Sequence, residues 1–207
     1  MSFLVKVNFL NTFKIGDNIN FNLKILKILY ECYEKLPEGR KLIKPIVIIN
    51  TSIAEAILYD FIVNRIKRPN RTEILFFEIY SALQNKNLHK FEHYITQAEK
   101  YDFFELKDTN FYDAMRSLSN KRNRIHIQNE GWEEPYNESE VFNEKLKILS
   151  EKVLEKILDT MALKYPRREE YHGYVEDFEL PWNKHFKTHN VEKLGLTMEE
   201  AQELGLI

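Results

Sequence analysis

Residues 45–67 read PIVIINTSIAEAILYDFIVNRIK, a segment that is apolar over most of its circumference when it is drawn as a helix. Proline suits the first turn of a helix, so Pro45 marks a start, and the turn formed by Arg68, Pro69 and Asn70 marks an end. A helix that is apolar nearly all round must be surrounded by other elements. The segment therefore predicts the central helix of an all-α domain.

Further stretches on both sides of this segment repeat apolar residues at helical spacing. They cover about 20–36, 72–83, 88–101, 110–126 and 137–163. The apolar stripe predicted to face the core in the first of them contains Phe21, Ile25, Ile28, Leu29, Cys32 and Leu36. Because the connections are short and strand patterns are nearly missing, the sequence predicts an up-and-down bundle of five to six helices.

The chain divides at the end of the last long helix. Residues 1–165 are predicted to form the bundle, with a strand or lead-in up to the Gly16, Asp17 and Asn18 break. Residues 166–207 are polar and aromatic, and form a C-terminal extension with a short terminal helix that opens at Thr197. We expect the extension to pack on its own domain or on a partner.

Composition limits the functions that this chain can have. A formal net charge of −2 over 207 residues gives no overall basic field, so any RNA binding must come from a local patch. Cys32 is the only cysteine, which excludes an internal disulfide and a cysteine-based metal cage. Without a leader pattern or eighteen apolar residues in a row, we expect a cytoplasmic protein that does not enter a membrane.

One local patch has the required charge. Residues 116–129, RSLSNKRNRIHIQN, carry four fixed positive charges, one histidine and no acid. Arg122 and His126 are four residues apart and share a helix face, so a permanent cation and a group that titrates near neutral pH can meet one phosphate. Arg122 also falls near the centre of an apolar stripe, which predicts partial burial, whereas Arg124 falls almost opposite and should be solvated.

A partly buried arginine needs an anion. In one interpretation the anion is Glu55 of the central helix, and His126 only ends its own helix, where a positive charge is favourable. In the other, Arg122 holds an RNA phosphate while His126 transfers protons. Those are the two tasks of RNA cleavage by the 2′-hydroxyl without a metal.

The stretch KRNRIH at 121–126, followed by a loop and one last long helix, resembles the HEPN superfamily of all-α domains. The likeness extends from about residue 46 to residue 163 and includes SIAEA at 52–56. It implies a bundle that pairs two-fold and places two such motifs along one cleft. Catalytic members are metal-independent endoribonucleases, often toxins or antiphage proteins, and a toxin implies an antitoxin or regulatory partner.

Carried onto this sequence, the resemblance implies that Arg122 binds and polarises phosphate, that Asn123 orients the helix end or contacts RNA, and that His126 is general acid or base. Further RNA contacts are expected from Arg116, Lys121 and Arg124. The family's catalytic pattern usually leaves four to six residues between arginine and histidine, whereas this chain has three. Many relatives keep the fold without nuclease activity, so a non-catalytic module that docks a protein partner is the alternative.

Two weaker motifs complete the set of candidates. Arg65, Lys67 and Arg68 form a second basic cluster, which is predicted to touch the RNA backbone or, alternatively, to be a solvated turn at a helix end. The pattern H-x-x-E-H at 89–93 can hold zinc, but it lacks a third ligand and fits a solvated helix face equally well. We therefore predict no metal and no other cofactor.

Overall fold

The computed structural model describes residues 2–68, 77–125, 137–169 and 174–186, which form the predicted all-α bundle. The helices of these parts are α1 (Phe13–Lys35), α2 (Ile43–Tyr59), α3 (Phe77–Leu83), α4 (Phe91–Lys100), α5 (Phe111–Arg122), α6 (Glu138–Val141) and α7 (Glu144–Lys164). Two short strands, β1 (Phe3–Val5) and β2 (Phe178–Leu180), pair in antiparallel orientation.

The central position predicted for the second helix is confirmed. Helix α2 packs against α1, α4, α5 and α7, and it continues into a π-helix at Asp60–Lys67. Gly39–Lys67 is long and apolar enough to cross a membrane by length and composition, but 67% of its most apolar window is buried in the protein. The core helix of a folded domain meets the same criterion, because burial among neighbouring helices also demands apolar side chains on every side.

The predicted start of α1 was wrong. Helix α1 begins at Phe13 and runs through Gly16, which the sequence pattern places in a break. A Cβ atom at Gly16 would lie 2.6 Å from Cγ2 of Val175, so this glycine serves close packing. The backbone amides of Asn11 and Thr12 donate to Oδ2 of Asp60 at 2.6 and 3.3 Å, which fixes the chain just before the helix.

The predicted core face of α1 was also wrong. The buried residues of this helix are Gly16, Ile19, Leu23, Leu26 and Tyr30. By contrast, Phe21 is 65% exposed and Ile28 is 62% exposed. Helix α1 is apolar on two faces, and helical periodicity alone does not decide which of them meets the core.

The stretch 137–163, predicted as one long helix, forms two helices, α6 and α7. Asn137 caps only the short α6, where its side chain accepts a hydrogen bond from the amide of Ser139. Helix α7 has its own cap, since Oδ1 of Asn143 accepts from the amide of Leu146 at 3.0 Å. At the start of α5, Asn110 makes no side-chain capping hydrogen bond.

The described part of the C-terminal extension packs on the bundle, in agreement with one of the two expectations. Phe178, Leu180, Trp182 and Phe186 are buried in the same core as the helices. Two consecutive backbone amides, of His185 and Phe186, donate to the carboxylate of Glu155 at 2.9 and 2.8 Å. The predicted helix from Thr197 lies outside the described residues.

A buried carboxylate on α7 joins this extension to α1. Glu151 is 2% exposed and accepts hydrogen bonds from the Tyr30 hydroxyl at 2.5 Å and the Lys147 ammonium at 3.0 Å. Its second oxygen lies 2.8 Å from Nε2 of His185. Burial opposes the charge of Glu151, but the contacts with His185, Lys147 and Tyr30 outweigh burial and hold its pKa below the usual 4.5.

The lowered pKa of Glu151 predicts a particular pH dependence. The stability from this carboxylate is fully present above its unfolded-state pKa near 4.5 and is lost as pH falls through the lower folded value. We expect Glu151→Gln to lower the free energy of unfolding at pH 7 by about 2–3 kcal/mol and to flatten its decline below pH 5. Urea unfolding from pH 3 to pH 8 measures both effects. Glu34→Gln at an exposed position is the control. If the free energy of unfolding of Glu151→Gln declined below pH 5 as steeply as that of the wild type, the stabilising role of Glu151 would be contradicted.

Candidate functional site

The end of α5 holds the basic motif singled out from the sequence. The apolar stripe on which Arg122 was placed is buried at Phe111, Ala114, Met115 and Leu118. Ile125, placed on the same stripe, is 52% exposed. The helix gives way at Asn123–Ile125 to a 3-10 turn with three residues per turn, which moves the following side chains off the α-helical stripe.

The positive charge of Arg122 is paired with a carboxylate within the fold. Its Nη1 atom pairs with Oε2 of Glu55, so the predicted contact between these two side chains is confirmed. The two side chains are 31% and 23% exposed, respectively. Helix α2 provides Glu55 on its half-buried edge, and α5 packs beside it, so both charges lie where water still reaches.

An aromatic pair borders this ion pair. The rings of Tyr59 and Tyr94 meet edge to face with centroids 5.8 Å apart. Burial raises the pKa of Tyr94, and the charge of the nearby Glu55 adds to that shift. Both side chains of the ion pair are themselves less than one-third exposed, so water screens their attraction less than that of a fully exposed pair.

Arg116, a predicted RNA contact, is instead surrounded by acids. Its guanidinium donates to Glu92 and Asp113 at 3.1 Å each, and also to Glu99. The hydrogen bond to Glu99 is the main reason why the pKa of Arg116 is raised. One cation among three carboxylates repels a polyanion, so these ion pairs argue against the RNA contact predicted for Arg116, which stays a prediction.

The second basic cluster is largely internal. Arg65 is 1% exposed and donates to the backbone carbonyls of Tyr165 and Pro166, the latter at 3.0 Å. The ammonium of Lys67 donates to the carbonyl of Lys86. Arg65 lies in the π-helix and points inward, where it holds the chain after α7. Its predicted RNA contact was therefore wrong. Arg68, by contrast, is exposed.

The remaining motif residues are reachable to different degrees. Asn123 is exposed, whereas Lys121 and Arg124 are half-buried, so Arg124 is less solvated than predicted. His126 lies outside the described residues. In the H-x-x-E-H segment, Nδ1 of His93 accepts from the amide of His89 at 3.3 Å, and Glu92 is engaged by Arg116. The parts of the chain that the structure describes contain no group of three residues suited to hold a metal.

A small pocket lies between α1 and α2, beside the half-buried edge that carries Glu55. Its volume is about 110 Å³. It is lined by Ile15, Asn18, Ile19, Asn22, Ser52, Ile53 and Ala56. Sites for drug-sized ligands enclose roughly 300–1,000 Å³, so this pocket is too small for a nucleotide or a similar ligand.

Comparisons with protein-family models, with curated protein sequences and with solved structures give no match to this chain. The likeness to HEPN domains therefore stays a prediction from the KRNRIH motif and its helical setting. Sequence reasoning missed the exposed apolar face of α1 and the acids around Arg116. A second apolar stripe in α1, formed by Ile19, Leu23, Leu26 and Tyr30, was the signal for the first of these.

The ion pair at this site predicts a measurable coupling. Glu55→Ala and Arg122→Ala each remove one partner, and a double-mutant cycle isolates their interaction. We expect about 1 kcal/mol, the upper end for surface pairs, because both side chains are less than one-third exposed. For comparison, the exposed pair of Lys14 and Asp17 should give about 0.3 kcal/mol. Urea unfolding measures both cycles, and equal couplings would mean that the partial burial of Arg122 and Glu55 adds nothing.

Proposed function

We propose that this chain is a non-catalytic, HEPN-like helical module that acts by binding protein. The observation that carries the proposal is the ion pair between Arg122 and Glu55. In the HEPN-type mechanism this arginine must hold a phosphate. Here its charge is already matched by a carboxylate of the central helix.

Electrostatics explain why the pair opposes RNA cleavage. A phosphate that approaches Arg122 meets the negative charge of Glu55 at nearly the same distance, so the attraction and the repulsion largely cancel. Displacing Glu55 would leave a carboxylate that is only 23% exposed without its partner. Both effects weaken the binding of a phosphate at the place where catalysis would need it most.

Other predicted RNA contacts support the same conclusion. Arg116 is held by three carboxylates, and Arg65 and Lys67 donate to backbone carbonyls. With a formal net charge of −2, the molecule offers no general field that would replace these local charges. Protein binding through an apolar surface does not depend on the net charge.

A second candidate is the metal-independent endoribonuclease, in which Arg122 binds phosphate, Asn123 contacts RNA and His126 transfers protons. The exposure of two motif residues favours it, since Arg122 is 31% exposed and Asn123 is exposed at the end of α5, where RNA could reach them. Cleavage by this route leaves a 2′,3′-cyclic phosphate. Such a toxin would work as a homodimer and require an antitoxin or regulatory protein.

An RNA cleavage assay separates the two candidates. We expect the wild-type protein in EDTA to cut a labelled RNA containing all four bases no faster than Arg122→Ala or His126→Ala, because Glu55 occupies the arginine. Gel analysis of the products over a day, with ribonuclease A as the positive control, measures the rate. Cutting by the wild type that both variants abolish, with 2′,3′-cyclic ends, would establish the nuclease.

If Glu55 is what blocks phosphate, then removing its charge should admit RNA. We expect Glu55→Gln to bind a fluorescent single-stranded RNA about fivefold more tightly than the wild type, with a salt dependence steeper by about one ion. Adding Arg122→Ala should reverse the gain, whereas Glu34→Gln changes the same charge at a remote site and should do nothing. Fluorescence anisotropy at several salt concentrations measures the affinity. No difference between Glu55→Gln and Glu34→Gln would contradict the blocking role.

A further inference from the structure

Helix α1 carries an exposed apolar line opposite its buried face. We name this line, formed by Phe21, Ile25, Ile28 and Cys32, the α1 seam. Phe21 and Ile28 are 65% and 62% exposed, and Ile25 and Cys32 are half-buried. At about 100° per residue the centre of the seam points almost directly away from the core-facing residues of the same helix.

The spacing of the α1 seam is that of a helix that pairs with another helix. Its residues follow one another by four, three and four positions, which is the repeat of a coiled-coil contact line. The next positions in the same repeat are Asn18 on one side and Lys35 on the other. Polar residues at both ends limit the apolar contact to four positions and so specify its register.

We propose that the α1 seam binds the α1 seam of a second copy of this chain, with the two helices antiparallel about a two-fold axis. The inference rests on the proposed function, in that it names the protein that the module binds. A two-fold contact uses the same surface on both copies, so the surface must complement itself. Both the sizes and the charges along α1 meet that condition.

The sizes of the seam residues match in the antiparallel register. With the axis midway between Ile25 and Ile28, Ile25 lies opposite Ile28 of the second copy. Phe21 then lies opposite Cys32, so the largest side chain of the seam faces the smallest. Every layer has nearly the same total volume, as close packing between two helices requires.

Charges beside the seam select the antiparallel orientation. Lys24 and Glu31 are exposed, are seven residues apart, and flank the seam along the same edge. In the antiparallel register each Lys24 faces Glu31 of the second copy, and symmetry repeats the pair. In a parallel pair the edge that carries Lys24 and Glu31 would face Asn22 and Leu29, which offer no opposite charge.

The dimer contact is separate from the site at the end of α5. The four seam residues all lie on α1, whereas Glu55 and Arg122 lie on α2 and α5. Arg122→Ala should therefore leave the oligomeric state unchanged. The contact is also short, so we expect a dissociation constant of about 1–100 µM.

A cysteine trap tests the register. Phe21→Cys should form a disulfide with the native Cys32 of a second copy under mild oxidation, because the two positions share a layer. Within one chain they are about 16 Å apart along the helix, too far to bond. We expect a covalent dimer on a non-reducing gel from Phe21→Cys, and none from Phe21→Cys with Cys32→Ser.

Two controls make this result specific. Phe13→Cys places a thiol at another exposed position of the same helix, about two turns from the seam, and should form at most a tenth as much dimer. A disulfide dimer of the wild-type protein through Cys32 alone would indicate parallel helices and overturn the register. Equal dimer from Phe13→Cys and Phe21→Cys would reduce the result to random collision and overturn the inference.

Charge exchange tests the native seam without removing a seam residue. Lys24→Glu and Glu31→Lys should each weaken the dimer about tenfold, and the double variant should restore it, since the opposite charges face one another again. Ile28→Asp should abolish the dimer, whereas Leu163→Asp, at a similarly exposed position on α7, should not. Sedimentation velocity from about 1 to 200 µM measures these constants.

The outcomes distinguish this inference from the proposed function. A wild-type protein that stays monomeric over this range overturns the seam dimer and leaves the RNA cleavage result as it stands. Cleavage of RNA that depends on Arg122 and His126 overturns the proposed function, even where the seam dimer forms. A double charge variant that stays as weak as its two single variants overturns the antiparallel pairing.

Discussion

The structure depends on the burial of α2. This helix is apolar on nearly every side, so it is stable in water only when other helices surround it, and α1, α4, α5 and α7 do so. Glu55 is a charged residue of this helix and lies on its half-buried edge, beside α5. Because a partly desolvated carboxylate needs a counter-charge, this edge also fixes the place of Arg122.

Buried polar groups hold the two ends of the described chain on that core. Asp60 and Arg65, both in the π-helix, bind backbone groups of the segment before α1 and of the chain after α7. Glu151 and Glu155 on α7 bind the extension through His185 and its neighbour. Each of these charges would be costly to bury alone, so each one makes its contact specific.

The basic motif and the apolar residues of α1 both lie in environments that differ from those suggested by their sequence patterns. The basic motif suggested a surface for RNA, but its arginine pairs with an internal acid, and Arg116 joins α4 to α5 through its carboxylate neighbours. The apolar residues of α1 suggested a core face, but Phe21 and Ile28 meet solvent. Both reversals support the proposed protein-binding module over the proposed nuclease.

The sequence by itself determined the all-α bundle, most of its helices and the central place of α2, and it offered the pairing of Arg122 with Glu55 as one of two interpretations. These follow from local periodicity and from the rule that a partly buried charge needs a partner. The tertiary structure alone decided which face of α1 is buried, why Gly16 lies inside that helix and that Arg65 turns inward. Those outcomes depend on contacts between residues far apart along the chain. Gly16 and Val175 are 159 positions apart, and Arg65 binds the chain 101 positions further on, at Pro166. Local patterns contain no information about such contacts.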